Sequence, residues 1–222
     1  MIQEEIGKLY NPVTLKIFTS SKNLQESVKM LDVLDIYQKA SNGLLKIEEH
    51  RFETKPNLIK KYDIQDIPVI LITNDLDQVI IRYLAVPTAA KIQPFVQALM
   101  VLTGTPNYYK NVIKENLNEI NPTVIKVLIT DYCAYCSTII SICSQFALAS
   151  EGKLQIDVID IMAHPDIGEK YNVTPAGIVS LKALGVMSVS RTSQDPVLIL
   201  IFSGPAICRK ENFLNKSSKG GG

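Results

Sequence analysis

A chain of 222 residues, 46% hydrophobic and 20% charged, has the balance of an ordinary globular protein and length for one large domain or two small ones. Its net charge of +1 offers no basic face to nucleic acid or to an anionic membrane. No apolar run approaches the roughly 20 residues that span a bilayer, and the opening "MIQEEIGKLY" has two acidic residues where an export signal has its hydrophobic core, so a cytoplasmic protein is expected.

The first β-branched run, in "NPVTLKIFTS" at 11–20, predicts a strand. Leu24, Val28, Leu31 and Leu34 then recur at helical spacing. A second strand ("GLLKIEEHRF") and a helix ending in "KKYDI" follow. The stretch from Ile67 to Leu102 reads as strand, polar turn, strand, turn and helix, so the first half is βαβαββα. Residues from Pro106 to Ile120 form a connector, after which the pattern restarts. "NPTVIKVLIT" at 121–130 repeats the Asn, Pro and Lys of the first strand at an offset of 110 residues. Cys136, Ile139, Ile140, Cys143 and Phe146 mark its helix. "KLQIDVIDIM", a helix ending in "EKYNV", two more strands up to "VLILIF" and a shorter helix through "ENFLNK" complete the second copy. The chain thus reads as a duplication, with units over 1–105 and 106–216 and a polar, glycine-rich flexible tail over 217–222.

All four cysteines lie in the second half, too few for a disulfide-stapled scaffold. In "DYCAYCSTII", Cys133 falls at the junction of strand and helix, where unsatisfied N–H groups and the helix dipole favour a thiolate. Cys136 follows one turn later, turned inward towards Ile139 and Ile140 and within disulfide reach. An outer attacking thiolate and an inner resolving thiol are what disulfide exchange needs. Zinc would want a second Cys/His pair. Cys143 belongs to the buried stripe, Cys208 stands alone near the last helix, and His50 and His164 are single, so no four-ligand set is evident. Cys143 and Cys208 read as structural. An iron–sulfur cluster shared between two chains and a pair of inert buried thiols are the other readings of the motif.

"CAYC" is close to the CPYC of glutaredoxins, with Ala134 where Pro is usual. Together with the Tyr-x-Ile/Val at Tyr62–Ile64 and Tyr171–Val173, it makes the chain resemble the thioredoxin superfamily over roughly residues 11–216. The tandem arrangement is similar to the protein disulfide oxidoreductases of thermophilic archaea and bacteria, and to the N-terminal domain of the flavoprotein that reduces peroxiredoxins. This resemblance implies an α/β fold of two tandem thioredoxin-like units, each a mixed four-stranded sheet flanked by helices. It implies a thiol–disulfide oxidoreductase with Cys133 and Cys136 as catalytic residues and substrate contacts at Tyr132, Tyr135, Ala176 and Gly177. No metal and no organic cofactor are implied. The partners would be protein thiol or disulfide substrates and a separate reductase, such as a flavoprotein thioredoxin reductase.

The chain departs from that pattern in three places. Asn23 and Glu26 stand where the first half would carry cysteines, so that half cannot exchange disulfides, and their spacing predicts a reciprocal N-cap and N3 helix cap instead. Superfamily members carry a cis-proline six residues after the tyrosine, where it shapes a backbone edge that pairs with substrate. Pro68 fits in the first half; in the second the position falls on Gly177, with Pro175 two residues short unless a gap is allowed. The buried Asp that thioredoxins place six residues before the first cysteine is Val127, and Asp131 reads as a solvated or capping carboxylate. These departures favour two alternatives: a redox-inactive tandem binding module, or iron–sulfur or metal carriage through the same cysteines.

Overall fold

Parallel pairing of two β-branched segments, with a helix as the crossover, begins the architecture. The structure, a computed structural model, describes residues 6–131, 136–171 and 173, and the backbone of 197–200. Strand β1 (Val13–Thr19) runs parallel to β2 (Leu45–Arg51), joined by α1 (Leu24–Ala40). Helix α2 (Pro56–Lys61) leads to the antiparallel pair β3 (Val69–Thr73) and β4 (Val79–Leu84), and β3 lies against β1. Helix α3 (Ile92–Thr103) closes the first half, so its element order is the βαβαββα expected. The connector holds a short helix, α4 (Lys110–Glu115). Then β5 (Thr123–Ile129), α5 (Cys136–Ala149), β6 (Leu154–Asp160) and α6 (Pro165–Lys170) repeat the opening, and β7 (Val197–Leu200) falls in the predicted "VLILIF" strand.

The duplication extends to detail. Residues 11–20 and 121–130 have the same order of exposed, half-buried and buried positions. Ser41 and Ser150 each follow a helix, donate back to its carbonyls (Gln38, Ala147), and accept the amide of the next strand's first residue, Leu45 or Leu154. Each is followed by two residues of positive φ: Asn42 and Gly43 at 54° and 84°, Glu151 and Gly152 at 53° and 87°. After α2 and α6 alike, a backbone amide reaches back to the helix, Ile64 to Ile59 and Val173 to Gly168.

The described strands form one sheet in the order β2-β1-β3-β4-β6-β5-β7. Two separate four-stranded sheets are the expectation; instead β4 of the first half pairs in parallel with β6 of the second, Ile81 opposite Ile156 and Leu84 opposite Ile159. Each half's open edge satisfies the other's backbone groups, which removes two exposed edges. The repeat breaks at β7, which lies parallel to β5 where β3 lies antiparallel to β1. Beside the seam, buried Asp157 of β6 meets Lys126 of its own half's β5 at 2.7 Å and, across the seam, Arg82 of β4 at 3.7 Å.

Packing on this sheet joins the halves again. Helix α3 lies against α5, and Phe95 of α3 meets Tyr37 and Tyr83 edge-on at 5.3 and 5.1 Å. Helix α1 corrects the predicted stripe in part: Leu34 is buried as expected and Leu31 half-buried, but Leu24 and Val28 are exposed, and Ser27, Met30 and Tyr37 complete the buried face. On that buried face the Ser27 hydroxyl accepts from the Ser20 amide at 3.3 Å, tying the helix to the end of β1. In α5 the buried set Cys136, Ile140, Cys143 and Ala147 follows the predicted stripe, with Ile139 and Phe146 at its half-buried margin.

Candidate functional site

Strands β4, β5 and β6 are parallel, so their C-terminal ends open on one side of the sheet, where open α/β sheets place their sites. Ile129 ends β5 in register with Asp160 at the end of β6. Asp131 lies just beyond, and α5 is described from Cys136 onward. Cys136 is 4% exposed and disulfide-bonded, while Cys143, two turns further along the same buried face of α5, is also buried. The predicted inward orientation of Cys136 and the core role of Cys143 both agree with this. Cys133, Tyr132, Tyr135, Ala176, Gly177, Pro175 and Cys208 lie outside the described residues. Val127 is buried at 1% exposure in the core, so the thioredoxin-type carboxylate position is apolar here.

The charges around the β5–α5 turn come from both halves. Lys91, in the turn before α3, is 4% exposed, a burial that an ammonium tolerates only when paired. It donates to Asp131 and, at 3.3 Å, to Asp160. Asp160 also accepts the amide of Met162 at 3.0 Å, and its carbonyl accepts the amide of His164 at 2.9 Å. Burial pushes the His164 imidazole below the ordinary histidine pKa, against the pull of Asp66, Asp166, Asp160 and Glu26. Asp131 is therefore half solvated, as expected, and ion-paired, which its sequence does not announce. Among the described residues no three His, Cys, Asp or Glu side chains stand close enough to hold a metal ion.

The corresponding place in the first half is occupied differently from the prediction. Asn23 does precede α1, but its side chain accepts nothing from the helix. Its Nδ2 donates at 2.7 Å to the carbonyl of Ile67, which begins a cis peptide to Pro68. Glu26 faces Lys29 at 3.9 Å instead of reaching back. The cap is supplied one turn earlier. Ser20 Oγ accepts the Lys22 amide and donates to Glu53 at 2.6 Å, and Glu53 also accepts the Ser21 amide and hydroxyl. The Ser20 hydroxyl, foremost among these donors, holds the Glu53 carboxyl at about 2. A cavity of about 200 Å³ lies between Asn23, Glu26, Ile67, Pro68 and His164. A smaller one, about 130 Å³, includes Glu26, Lys29, Lys91, Asp131 and Asp160.

Two βαβ-opened units in one chain, with the cis-proline loop of the first facing the start of its helix, define a tandem thioredoxin-like fold. The solved structures it resembles are specific ones. A protein disulfide oxidoreductase from Aeropyrum pernix superposes with a TM-score of 0.70 at 20% identity, over 91% of this chain and 84% of its own. The alkylhydroperoxide reductase AhpF of Enterococcus faecalis gives 0.68 at 16% identity, over 77% of this chain and 81% of that one. The N/C N-terminal domain of the same reductase gives 0.68 at 16%, over 78% and 83%. At such identities the likeness establishes the fold. No protein-family model matches the chain, and no curated protein matches it in sequence.

Proposed function

We propose that the chain is a thiol–disulfide oxidoreductase acting on protein disulfides through Cys133 and Cys136. The supporting observation is Cys136 itself, a disulfide-bonded sulfur shielded from water at the described start of the helix that follows β5. A resolving thiol needs this shielding, because the outer sulfur must meet the substrate first. In the proposed cycle the Cys133 thiolate attacks one sulfur of a substrate disulfide. The substrate S–S bond breaks, its leaving thiolate takes a proton, and a mixed disulfide forms. The Cys136 thiolate then attacks Cys133, expels the second substrate thiolate, and leaves a Cys133–Cys136 disulfide. Two electrons have passed to the substrate, and a separate reductase of the flavoprotein thioredoxin reductase type restores the dithiol.

In this reading the units span 1–105 and 106–216, each built on the thioredoxin pattern, and the first is thiol-free. Tyr132, Tyr135, Ala176 and Gly177 would line the substrate path, in a cytoplasmic setting. Cys133→Ser is expected to abolish insulin reduction while the fold persists. A variant with full activity would overturn the proposal and favour the binding-module reading.

A further inference from the structure

Lys91 belongs to the half without cysteines, yet both of its ion-pair partners belong to the half that has them. Asp131 lies two residues before the CAYC motif in the chain, and Asp160 ends the neighbouring strand. The turn that carries Lys91 (Ala89–Lys91) packs directly against α5, which is described from Cys136 onward. We infer that Lys91 is a positioning residue for the dithiol of the second half: its buried ammonium clamps Asp131, two residues before Cys133 in the chain, to Asp160 and compensates both carboxylates. The inference rests on the exchange reading above, and adds to it a role for the first half beyond scaffolding.

The electrostatics follow from the groups that face the clamp. Asp131 comes from the β5–α5 turn, Asp160 from β6, and Glu26 and Lys29 from α1; His164, ahead of α6, lines the adjoining cavity. Glu26 and Lys29 offset each other, so among the described residues Lys91 is the cation that balances the two aspartates. Without it, two carboxylates would stand uncompensated, one of them two residues before Cys133 in the chain, where a sulfur anion arises whenever the dithiol is reduced. A carboxylate close to a thiolate disfavours it, and so disfavours the reduced state relative to the disulfide.

Redox equilibration of the full chain against glutathione, with wild type and variants in parallel, tests this. Lys91→Met is expected to shift the equilibrium about tenfold towards the disulfide, a potential about 30 mV more negative. Lys91→Arg should stay within about twofold, and adding Asp131→Asn to Lys91→Met should recover most of the shift. A second readout is the pH profile of Cys133 alkylation by iodoacetamide, followed by mass spectrometry, whose midpoint should rise in Lys91→Met. A native-like Lys91→Met protein in which neither readout moves would overturn the inference and leave Lys91 a mere fastener between the halves. Should Lys91→Met fail to fold, Asp131→Asn alone is decisive, because its half-exposed side chain can be changed without opening the core. It should make the couple more oxidising by about threefold, and an unchanged couple would again overturn the inference. Loss of the exchange reading looks different: insulin reduction would be absent in wild type while the alkylation midpoint still moved with Lys91.

Discussion

Asn23 and Ser20 show how one turn can be capped from a position that spacing does not indicate. The interval between Asn23 and Glu26 predicts a reciprocal cap, because an N-cap and N3 pair is defined by local sequence alone. Asn23 is drawn away by the Ile67 carbonyl, 44 residues distant, which is invisible to local spacing. Ser20, one of the many serines a sequence offers, caps the turn because Glu53 folds back to bind its hydroxyl. Lys91 escapes a sequence reading for the same reason, since its partners lie 40 and 69 residues further along the chain. The Cys136 side chain, by contrast, is legible, because helical periodicity alone turns it inward. The assignment gives a prediction. Ser20→Ala should cost about 1–2 kcal/mol at pH 7, by urea unfolding, as loss of a cap with a charged partner. Asn23→Ala should cost about 0.5–1 kcal/mol, one exposed hydrogen bond. The Ser20 cost should also fade in acid. The folded-state pKa of Glu53 is depressed, so its stabilisation is complete above its ordinary value of 4.5 and is lost as pH falls towards about 2. Equal costs for the two variants, or a Ser20 cost unchanged at pH 2.5, would contradict the assignment.

At the scale of elements, order is easier to read than orientation. Period-2 and period-3.6 patterns announce βαβαββα, and the ten-residue repeat at 11–20 and 121–130 announces that it occurs twice. What α1 buries is harder to read, because two of its faces are apolar enough to serve. Leu24 and Val28 compete with Met30 and Tyr37 for the place beside Leu34, and the second set is buried together with Ser27, whose hydroxyl pairs with the backbone of Ser20. A substitution series separates the faces. Met30→Ala removes a buried side chain and should destabilise by about 2–5 kcal/mol, whereas Val28→Ala on the exposed face should stay within about 0.5 kcal/mol. Comparable losses at both positions, measured by urea denaturation, would mean that the helix presents its other side to the sheet.

For the whole molecule, the decisive feature is the β4–β6 seam, which no sequence period could announce. Pairing between two strand edges leaves no local signature, so a duplication reads equally well as two separate sheets or as one. A charged cluster at the seam, crossed by the Arg82–Asp157 pair, gives it energetic consequence. Asp157 is 3% exposed and serves both Lys126 and Arg82, while Arg82 also donates to the Tyr62 carbonyl at 2.6 Å. Removing the carboxylate leaves two cations facing each other in a poorly solvated row, which is worse than losing a surface pair. Asp157→Ala should therefore cost about 3–5 kcal/mol. For a chain of this size that lowers the melting temperature by about 10 °C. Because β4 and β6 share hydrogen bonds and α3 packs on α5, neither half can unfold without exposing the other's strand edge and helix face. Wild type should accordingly melt in one calorimetric transition whose van't Hoff and calorimetric enthalpies agree. Asp157→Ala should shift that transition downward or divide it in two. Two well-separated transitions in wild type, with only one of them sensitive to Asp157, would show that the halves fold independently and that the seam joins them without coupling them.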